Sequence, residues 1–223
     1  MSEKLLIHYN YERNYSMPAA SAERTNARKE EIVNACEKLY QTMSFKEITL
    51  KEIGKETSFS RTSIYNYFQT KEEIFLALLK REYDLWITQL KEEMEMHETL
   101  SDDGIADVLA KTLCDRRKLL KIMSMNHYDL EENSRMEQLV EFKVSYGTAM
   151  KMVMQLLEKF RPDMDEKKRQ EFIYSFFPFM FGIYPYTVVS EKQKQAMEEA
   201  GVNYIYSSLY ELTCNAVRKM LKN

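Results

Sequence analysis

The sequence predicts an all-α protein, in which an N-terminal three-helix helix-turn-helix domain is joined by a long helix to a C-terminal helical bundle. The 223-residue chain contains only 5 Gly and 4 Pro. These residues average about 7% and 5% of proteins and destabilise helix interiors. Residues 19–161 contain no Pro, and residues 55–103 contain no Gly. Apolar side chains also recur at spacings of three and four, which is typical of one face of a helix.

The composition is that of a globular chain without a large charge of either sign. Hydrophobic residues make up 44% of it, charged residues 30%, and the net charge is −3. This charge argues against a protein that coats nucleic acid without specificity, but it leaves room for a local basic patch. Residues 1–20 lack the apolar core of a signal peptide, and we expect them to form a flexible polar arm.

The cysteines and histidines indicate neither a disulfide framework nor a metal site. Cys36, Cys114 and Cys214 are far apart and form no C-x-x-C spacing, so we expect buried thiols and a reducing, cytoplasmic location. The three histidines lack metal spacing, and no nucleophile elbow, P-loop or Gly-rich nucleotide motif occurs. The sequence therefore predicts no enzyme activity, no catalytic residue, no metal and no cofactor.

One uncharged run, residues 172–190, has the length of a membrane-spanning segment. It contains Pro178 and Pro185 and is flanked by Glu171 and Glu191. No cationic cluster on either side would orient it in a membrane. We therefore expect a buried or interface helix and no membrane partner.

The N-terminal part contains three predicted helices followed by a long one. Thr49, with Glu52 three residues later, shows the capping-box pattern of a helix start. Ser60 and Thr70 are expected to cap the next two helices. The predicted helices cover residues 27–43, 50–57, 61–68 and a long stretch from 71 onward.

Beyond about residue 97 the pattern is that of a helical bundle. Seven apolar residues between Leu139 and Phe160 alternate at spacings of three and four, which predicts a helix-packing seam. Pro178 and Pro185 are expected to kink the helix that contains them. The bundle helices are expected to begin at Asp102 or Asp103, at Asn133 or Ser134, and at Asp165, with a last helix over 203–221.

Two short helices joined by a three-residue turn, after a supporting helix, have the helix-turn-helix layout. In this layout the second helix enters the major groove of DNA. The segment R-T-S-I-Y-N-Y-F suits that position, because Ile64 and Phe68 share one apolar face. Arg61, Thr62 and Ser63 lie at the helix N-terminus, where base and phosphate contacts cluster.

The stretch T-L-K-E-I-G-K-E-T-S-F-S-R-T-S-I-Y-N-Y-F-Q-T-K-E-E-I resembles the DNA-binding signature of TetR-family transcriptional regulators. The resemblance covers roughly residues 27–75. The chain departs from the family at the turn, where Thr57 and Ser58 replace the usual Ala-Gly, and at Ser44, where many members have Gly. The positions that match the family pattern are Thr49, Ser60, Ile64, Tyr65, Tyr67, Phe68, Lys71 and Ile74.

The resemblance implies a set of DNA-binding residues. For Arg61 and Thr62 it implies base-edge readout, and arginine suits guanine O6 and N7. Lys51 is a weaker base or backbone candidate, Asn66 could reach either target, and Ser60 completes the set. For Tyr65 packing against the first helix is the alternative, and for Lys71 a solvated charge. The phosphate contacts implied are Thr49, Ser63, Tyr65, Tyr67 and Lys71.

The resemblance and the charge distribution together suggest the domain boundaries. Residues 21–71 hold nine lysines and arginines against seven acidic residues, whereas residues 72–223 carry a net charge of −5. A surplus this small implies dependence on shape fit and on two linked reading heads. We expect a DNA-binding domain over 21–71 and a ligand-binding and dimerisation domain over 72–223.

The bundle is the expected place for a small, lipophilic effector, because Met and aromatic side chains accommodate apolar ligands. The alternative for any one of these side chains is an ordinary core position. The candidate effector-binding residues are Trp86, His127, Tyr146, Met150, Phe177, Phe181 and Tyr184.

The resemblance further implies a homodimer formed through helices at about 166–189 and 203–221. Such a dimer would present two reading heads to a palindromic DNA operator, and effector binding would release the DNA. The implied function is a ligand-responsive repressor; a transcriptional activator, or a helical adaptor without DNA binding, are the alternatives. The candidate dimer residues are Phe172, Phe176, Phe179, Ile205, Leu209 and Leu212.

Overall fold

The computed structural model describes residues 19–222, except for the side chains of residues 19–22, 61 and 125–127. These residues form helices and no strand, which confirms the predicted all-α class. The predicted 1–20 arm lies outside the described residues up to residue 18. The helices are α1 (Ala19–Tyr40), α2 (Leu50–Lys55), α3 (Arg61–Ile64), α4 (Lys71–Met96), α5 (Asp102–Asp115), α6 (Arg117–Glu132), α7 (Met136–Phe160), α8 (Glu166–Thr187), α9 (Glu191–Glu199) and α10 (Leu209–Lys222).

The chain divides into two compact units between Tyr67 and Phe68. The first contains α1 to α3, and the second contains α4 to α10. In the first unit, α1 packs on α2 and α2 packs on α3. Its core is apolar and fully buried, as the helical spacing requires: Ile32, Cys36, Ile48, Ile53 and Ile64.

The short helices of the first unit are shorter than predicted. The Thr49 cap is confirmed, because its side chain accepts the N–H of Glu52. However, α2 ends at Lys55 rather than residue 57, and α3 ends at Ile64 rather than residue 68. Residues 65–67 form a turn instead. Aromatic Tyr65 and Tyr67 and polar Asn66 are weak helix formers, so nothing local extends α3.

The second unit is a bundle around α4, which packs against α5, α6 and α7. Helix α8 packs against α6, α7 and α10, and α10 also packs against α5. Aromatic rings fill the centre: Tyr83, Trp86, Phe142, Phe176 and Phe177 are all buried. The long N-terminal helix α4 therefore provides one wall of this core.

Several predicted boundaries in the bundle are wrong. The single helix expected from residue 102 towards 125 is two helices, α5 and α6, which break at Arg116. Ser101, not Asp102 or Asp103, caps α5, and Arg135 rather than Asn133 or Ser134 occupies the cap position of α7. The predicted last helix over 203–221 begins only at residue 209.

The uncharged run forms the second half of α8, which continues through both prolines. Six apolar side chains of this helix are buried in the unit, which agrees with the expectation of a core helix: Phe172, Ile173, Phe176, Phe177, Met180 and Ile183. Within residues 19–222, no single helix combines the length and apolar composition needed to cross a membrane. Helices α8 and α9 reach both only as a pair, and they are bent by 85° relative to each other.

Candidate nucleic-acid interface

Helix α3 separates an apolar face from a polar one over very few residues. Ile64 is fully buried, whereas Thr62 and Asn66 are exposed and Ser63 is half-buried. The side chain of Arg61 lies outside the described part of the chain. The exposed polar groups at this helix are of the kind that contact DNA.

Ser60 precedes α3 with extended backbone, as an N-cap residue does, but its side chain makes no capping hydrogen bond. Its hydroxyl lies 3.2 Å from the hydroxyl of Ser63 instead. The two serines therefore form a pair of adjacent hydroxyl groups on the exposed side of the motif.

The two tyrosines after α3 lie in different surroundings. Tyr65 is 45% exposed. The half-buried Tyr67 ring lies 6.4 Å from the ring of Phe59, in the turn before α3. The guanidinium of Arg28, on α1, lies over the other ring contact of this group, 5.6 Å from the centroid of Phe59. Phe59 thus links the turn, α1 and Tyr67.

The turn between α2 and α3 is built without glycine geometry. Among the described residues only Gly201 has a positive φ, so Ser58 adopts an ordinary backbone conformation in place of the family's usual Gly. The Thr57 hydroxyl is 3.1 Å from each of the carbonyls of Gly54 and Phe59. The Ser58 N–H donates to the Glu31 carboxylate, and this bond is the main cause that lowers the pKa of Glu31.

The start of α2 places Thr49 and Lys51 on the exposed surface. The Thr49 hydroxyl donates to the Glu52 carboxylate and accepts the Glu52 N–H. That hydroxyl already makes a cap, so a phosphate contact would have to share it. Lys38 of α1 holds the other end of α2 through a 2.6 Å bond to Glu56.

Lys71 is the first residue of α4 and belongs to the second unit. It is half-buried and follows Thr70, whose hydroxyl caps the helix by accepting the Glu73 N–H at 3.2 Å. The predicted DNA-binding residues therefore fall on α2, on α3 with the turn after it, and on the first turn of α4.

Three of the predicted effector residues come together in the aromatic core of the second unit. Trp86 is buried, and its indole N–H donates to the Thr112 hydroxyl at 3.1 Å. Its ring lies 6.2 Å from the ring of Phe177, which in turn contacts Tyr146 edge-on at 5.5 Å. Met150, Phe181 and Tyr184 are half-buried, and the side chain of His127 lies outside the described residues.

Sequence reasoning missed a set of grooves at the C-terminal end of α8. One has a volume of about 590 Å³ and is lined by Pro185, Tyr186, Val189, Gln193, Ala196, Met197, Tyr204 and Tyr206. A neighbouring groove of about 300 Å³ shares Tyr186 and Tyr204 with it. The clustered tyrosines around residues 184–210 were the available signal. In the described part of the chain, no group of His, Cys, Asp and Glu is arranged to hold a metal ion.

Two family models match the sequence, one on each part of the chain. Residues 32–78 match the model for bacterial regulatory proteins of the TetR family. Residues 80–213 match the tetracyclin repressor-like C-terminal domain, which is more than half of the chain. The chain belongs to the TetR family. This TetR-family protein is accordingly a DNA-binding transcriptional regulator.

Curated relatives resemble the TetR-family chain over part of their length. The uncharacterized HTH-type transcriptional regulator YfiR of Bacillus subtilis is 28% identical over 78 residues, which cover 35% of this chain and 38% of YfiR. The HTH-type transcriptional regulator RutR of Escherichia coli K12 is 29% identical over 66 residues, which cover 30% of this chain and 31% of RutR. The chain thus matches about a third of the length of these relatives.

Solved structures resemble the TetR-family chain over nearly its whole length. The fatty acid degradation regulator FadR of Bacillus halodurans superposes with a TM-score of 0.55 at 13% identity, over 87% of this chain and 94% of that one. Thermus thermophilus FadR, a TetR-family repressor solved with lauroyl-CoA, gives 0.52 at 16% identity, over 86% and 93%. Identities this low show a shared fold.

Proposed function

We propose that this TetR-family regulator is a ligand-responsive repressor that binds a palindromic DNA operator as a homodimer. The observation that carries the proposal is the α2–turn–α3 arrangement, in which exposed Thr62 and Asn66 lie opposite buried Ile64. This arrangement supports insertion of α3 into a major groove. In this proposal residues 21–71 read DNA, and residues 72–223 bind the effector and dimerise.

The DNA-binding roles follow from side-chain chemistry. Arg61 and Thr62 read base edges, with Lys51 and Asn66 as further contacts. Hydroxyl and ammonium groups bind phosphates without reading sequence, and Ser60 belongs to the same surface. The phosphate contacts proposed are Thr49, Ser63, Tyr65, Tyr67 and Lys71.

The structure revises the dimer face inferred from sequence. Phe172, Phe176 and Leu209 are buried within one chain, so they cannot meet a second copy, and that part of the expectation is wrong. Ile205 is 87% exposed, and Tyr174, on α8, is 71% exposed. Exposed apolar surface of this kind marks interaction sites. The dimer face proposed is Tyr174, Phe179, Tyr186, Ile205 and Leu212.

The effector proposed is small and lipophilic. The predicted residues Trp86, Tyr146 and Phe177 lie in an aromatic core, and Thermus thermophilus FadR, which shares the fold, was solved with the acyl compound lauroyl-CoA. An acyl or aromatic effector would fit such surroundings. The regulator acts in the cytoplasm, where its operator is, and it has no enzymatic role.

Selection of DNA from a random-sequence library by the purified protein tests this function. We expect an enriched palindrome, bound in a gel-shift assay, with loss of binding when Arg61→Ala and Tyr65→Ala are combined. Circular dichroism should show unchanged helicity in that variant. Lys91→Ala, on the exposed surface of α4, is the matched control and should bind normally. Sequence-specific binding that survived the double substitution would refute the assignment of α3.

Repression, rather than activation, is tested by a reporter gene placed behind the selected palindrome. Co-expression of the protein should lower reporter expression, because an operator-bound dimer occludes the promoter. An added acyl or aromatic compound that binds the protein should restore expression. Increased expression with the protein alone would indicate an activator.

A further inference from the structure

Glu73, in the first turn of α4, carries a fully buried carboxylate with both oxygens occupied. Arg135 donates its Nε to Oε1 at 2.6 Å and its Nη2 to Oε2 at 2.9 Å. The backbone N–H of Arg135 also reaches Oε1, at 3.1 Å. The N–H of Gln69 donates to Oε2 at 2.7 Å. A bidentate arginine–carboxylate pair of this kind fixes orientation as well as distance.

A second link joins the same two segments. The Thr70 hydroxyl donates to the carbonyl of Asn133 at 3.0 Å while it accepts the N–H of Glu73. Asn133 ends α6 and Arg135 precedes α7. Residues 69–73 are therefore held against the α6–α7 connection by contacts on both sides of Lys71.

A helix start does not need this arrangement for its own stability. Thr70 alone satisfies the capping requirement of α4, and burying a charge pair gains little net stability over an apolar pair of similar size. What the pair adds is a fixed backbone for residues 69–73 in place of a helix end that frays. Lys71, at the centre of this segment, is the residue that benefits.

We propose that Arg135 is a positioning residue for DNA binding, which holds the first turn of α4 so that Lys71 meets a DNA phosphate without first having to be ordered. The inference rests on the proposed function, in which Lys71 contacts phosphate. A contact made from an ordered segment avoids the entropy cost of fixing it upon binding. Arg135 itself does not touch DNA in this account.

The test compares Arg135→Met, Lys71→Ala and the double variant on the DNA fragment selected by the wild-type protein, with binding measured by fluorescence anisotropy across a salt series. We expect each single substitution to weaken binding about tenfold and to reduce the salt slope by about one, the value for one lost phosphate contact. The double variant should be no weaker than Lys71→Ala within about twofold, because both remove the same contact.

Two further variants separate positioning from stability. Arg161→Met breaks a comparable ion pair in the same unit, a 2.6 Å bond to Asp102, and should leave DNA affinity within about twofold. Glu73→Met combined with Arg135→Met removes both charges and should recover thermal stability. DNA affinity should stay low in that variant, and hydrogen exchange at residues 69–75 should stay fast.

The outcomes distinguish this inference from the proposed function. If the wild-type protein selects DNA but the losses from Arg135→Met and Lys71→Ala add independently, or Arg135→Met binds normally, Arg135 has no positioning role and the regulator function stands. The same conclusion follows if the stable Glu73→Met, Arg135→Met protein regains full affinity. A wild-type protein that selects no sequence would refute both.

Discussion

At the scale of single residues, Glu73 sets a pH dependence of folding. Burial acts to raise the pKa of Glu73, but the hydrogen bonds from Arg135 and from the backbone of Gln69 outweigh it and hold that pKa below its ordinary value. The ordinary value, about 4.3, applies to the unfolded chain. The carboxylate therefore contributes stability that is fully present above this value and is lost as the pH falls through the folded pKa.

We expect the free energy of unfolding of the wild-type protein to fall more steeply between about pH 5 and pH 3.5 than that of Glu73→Gln. At pH 7 the variant should lose less than the about 3–5 kcal/mol typical of a fully buried broken pair, because the Arg135 side chain is 38% exposed. Urea unfolding followed by circular dichroism gives both numbers. Parallel pH curves for the two proteins would mean that Glu73 does not titrate with folding.

Thr112 and Trp86 form the polar contact inside the aromatic core, and the hydrogen bond between them is buried. Thr112→Val removes the acceptor and leaves the indole N–H without a partner, which should cost about 1–3 kcal/mol. Adding Trp86→Phe removes that N–H, so the loss from the double variant should be smaller than the sum of the single losses. Thr112→Ser keeps a hydroxyl and is the control. Additive losses in chemical denaturation would contradict this role.

At the scale of elements, the start of α2 combines a helix cap with a predicted DNA contact at Thr49. Thr49→Ala should destabilise the protein by about 1 kcal/mol through loss of the cap. Thr49→Asp keeps a capping oxygen but brings a negative charge to the phosphate-facing surface, so it should remain stable and bind the selected DNA poorly. Thermal melting and gel shift together decide this. Normal DNA binding by Thr49→Asp would leave Thr49 with the cap alone.

The helix boundaries show what local sequence can and cannot predict. The caps at Thr49 and Thr70 follow from short-range patterns, and the pattern Ser208-x-x-Glu211 at the start of α10 was equally visible: Ser208 accepts the Glu211 N–H at 3.2 Å. The break between α5 and α6 was not, because no Gly or Pro marks it. There Lys118 binds buried Glu82 of α4 at 3.0 Å, so tertiary packing rather than propensity directs the chain.

The candidate site divides in the same way. Burial of Ile64 and exposure of Thr62 follow from helical spacing, and the sequence was sufficient for them. The pairing of Glu73 with Arg135 joins residues 62 apart, and no local pattern links them. The same holds for Phe59, which contacts Tyr67 and Arg28 only once the turn is folded.

At the scale of the whole molecule, the exposed apolar face of α8 and residues 202–212 predicts self-association. Ile205→Glu combined with Tyr174→Glu places two charges on this face, and both side chains are exposed, so the fold of one chain should be unaffected. We expect sedimentation to show a dimer for the wild-type protein and a monomer for this variant, because buried unpaired charge is costly. Met96→Glu, at an exposed apolar residue at the end of α4, is the matched control and should remain dimeric.

The same variant connects assembly to DNA binding. Two reading heads joined in a dimer bind a palindrome with an effective concentration that a monomer lacks, and the basic surplus of residues 21–71 is only two charges. Loss of the dimer should therefore weaken binding to the full palindrome by at least about a hundredfold, while binding to a half-site remains weak and unchanged. A monomeric variant that bound the palindrome as tightly as the wild-type protein would show that each chain reads its operator alone.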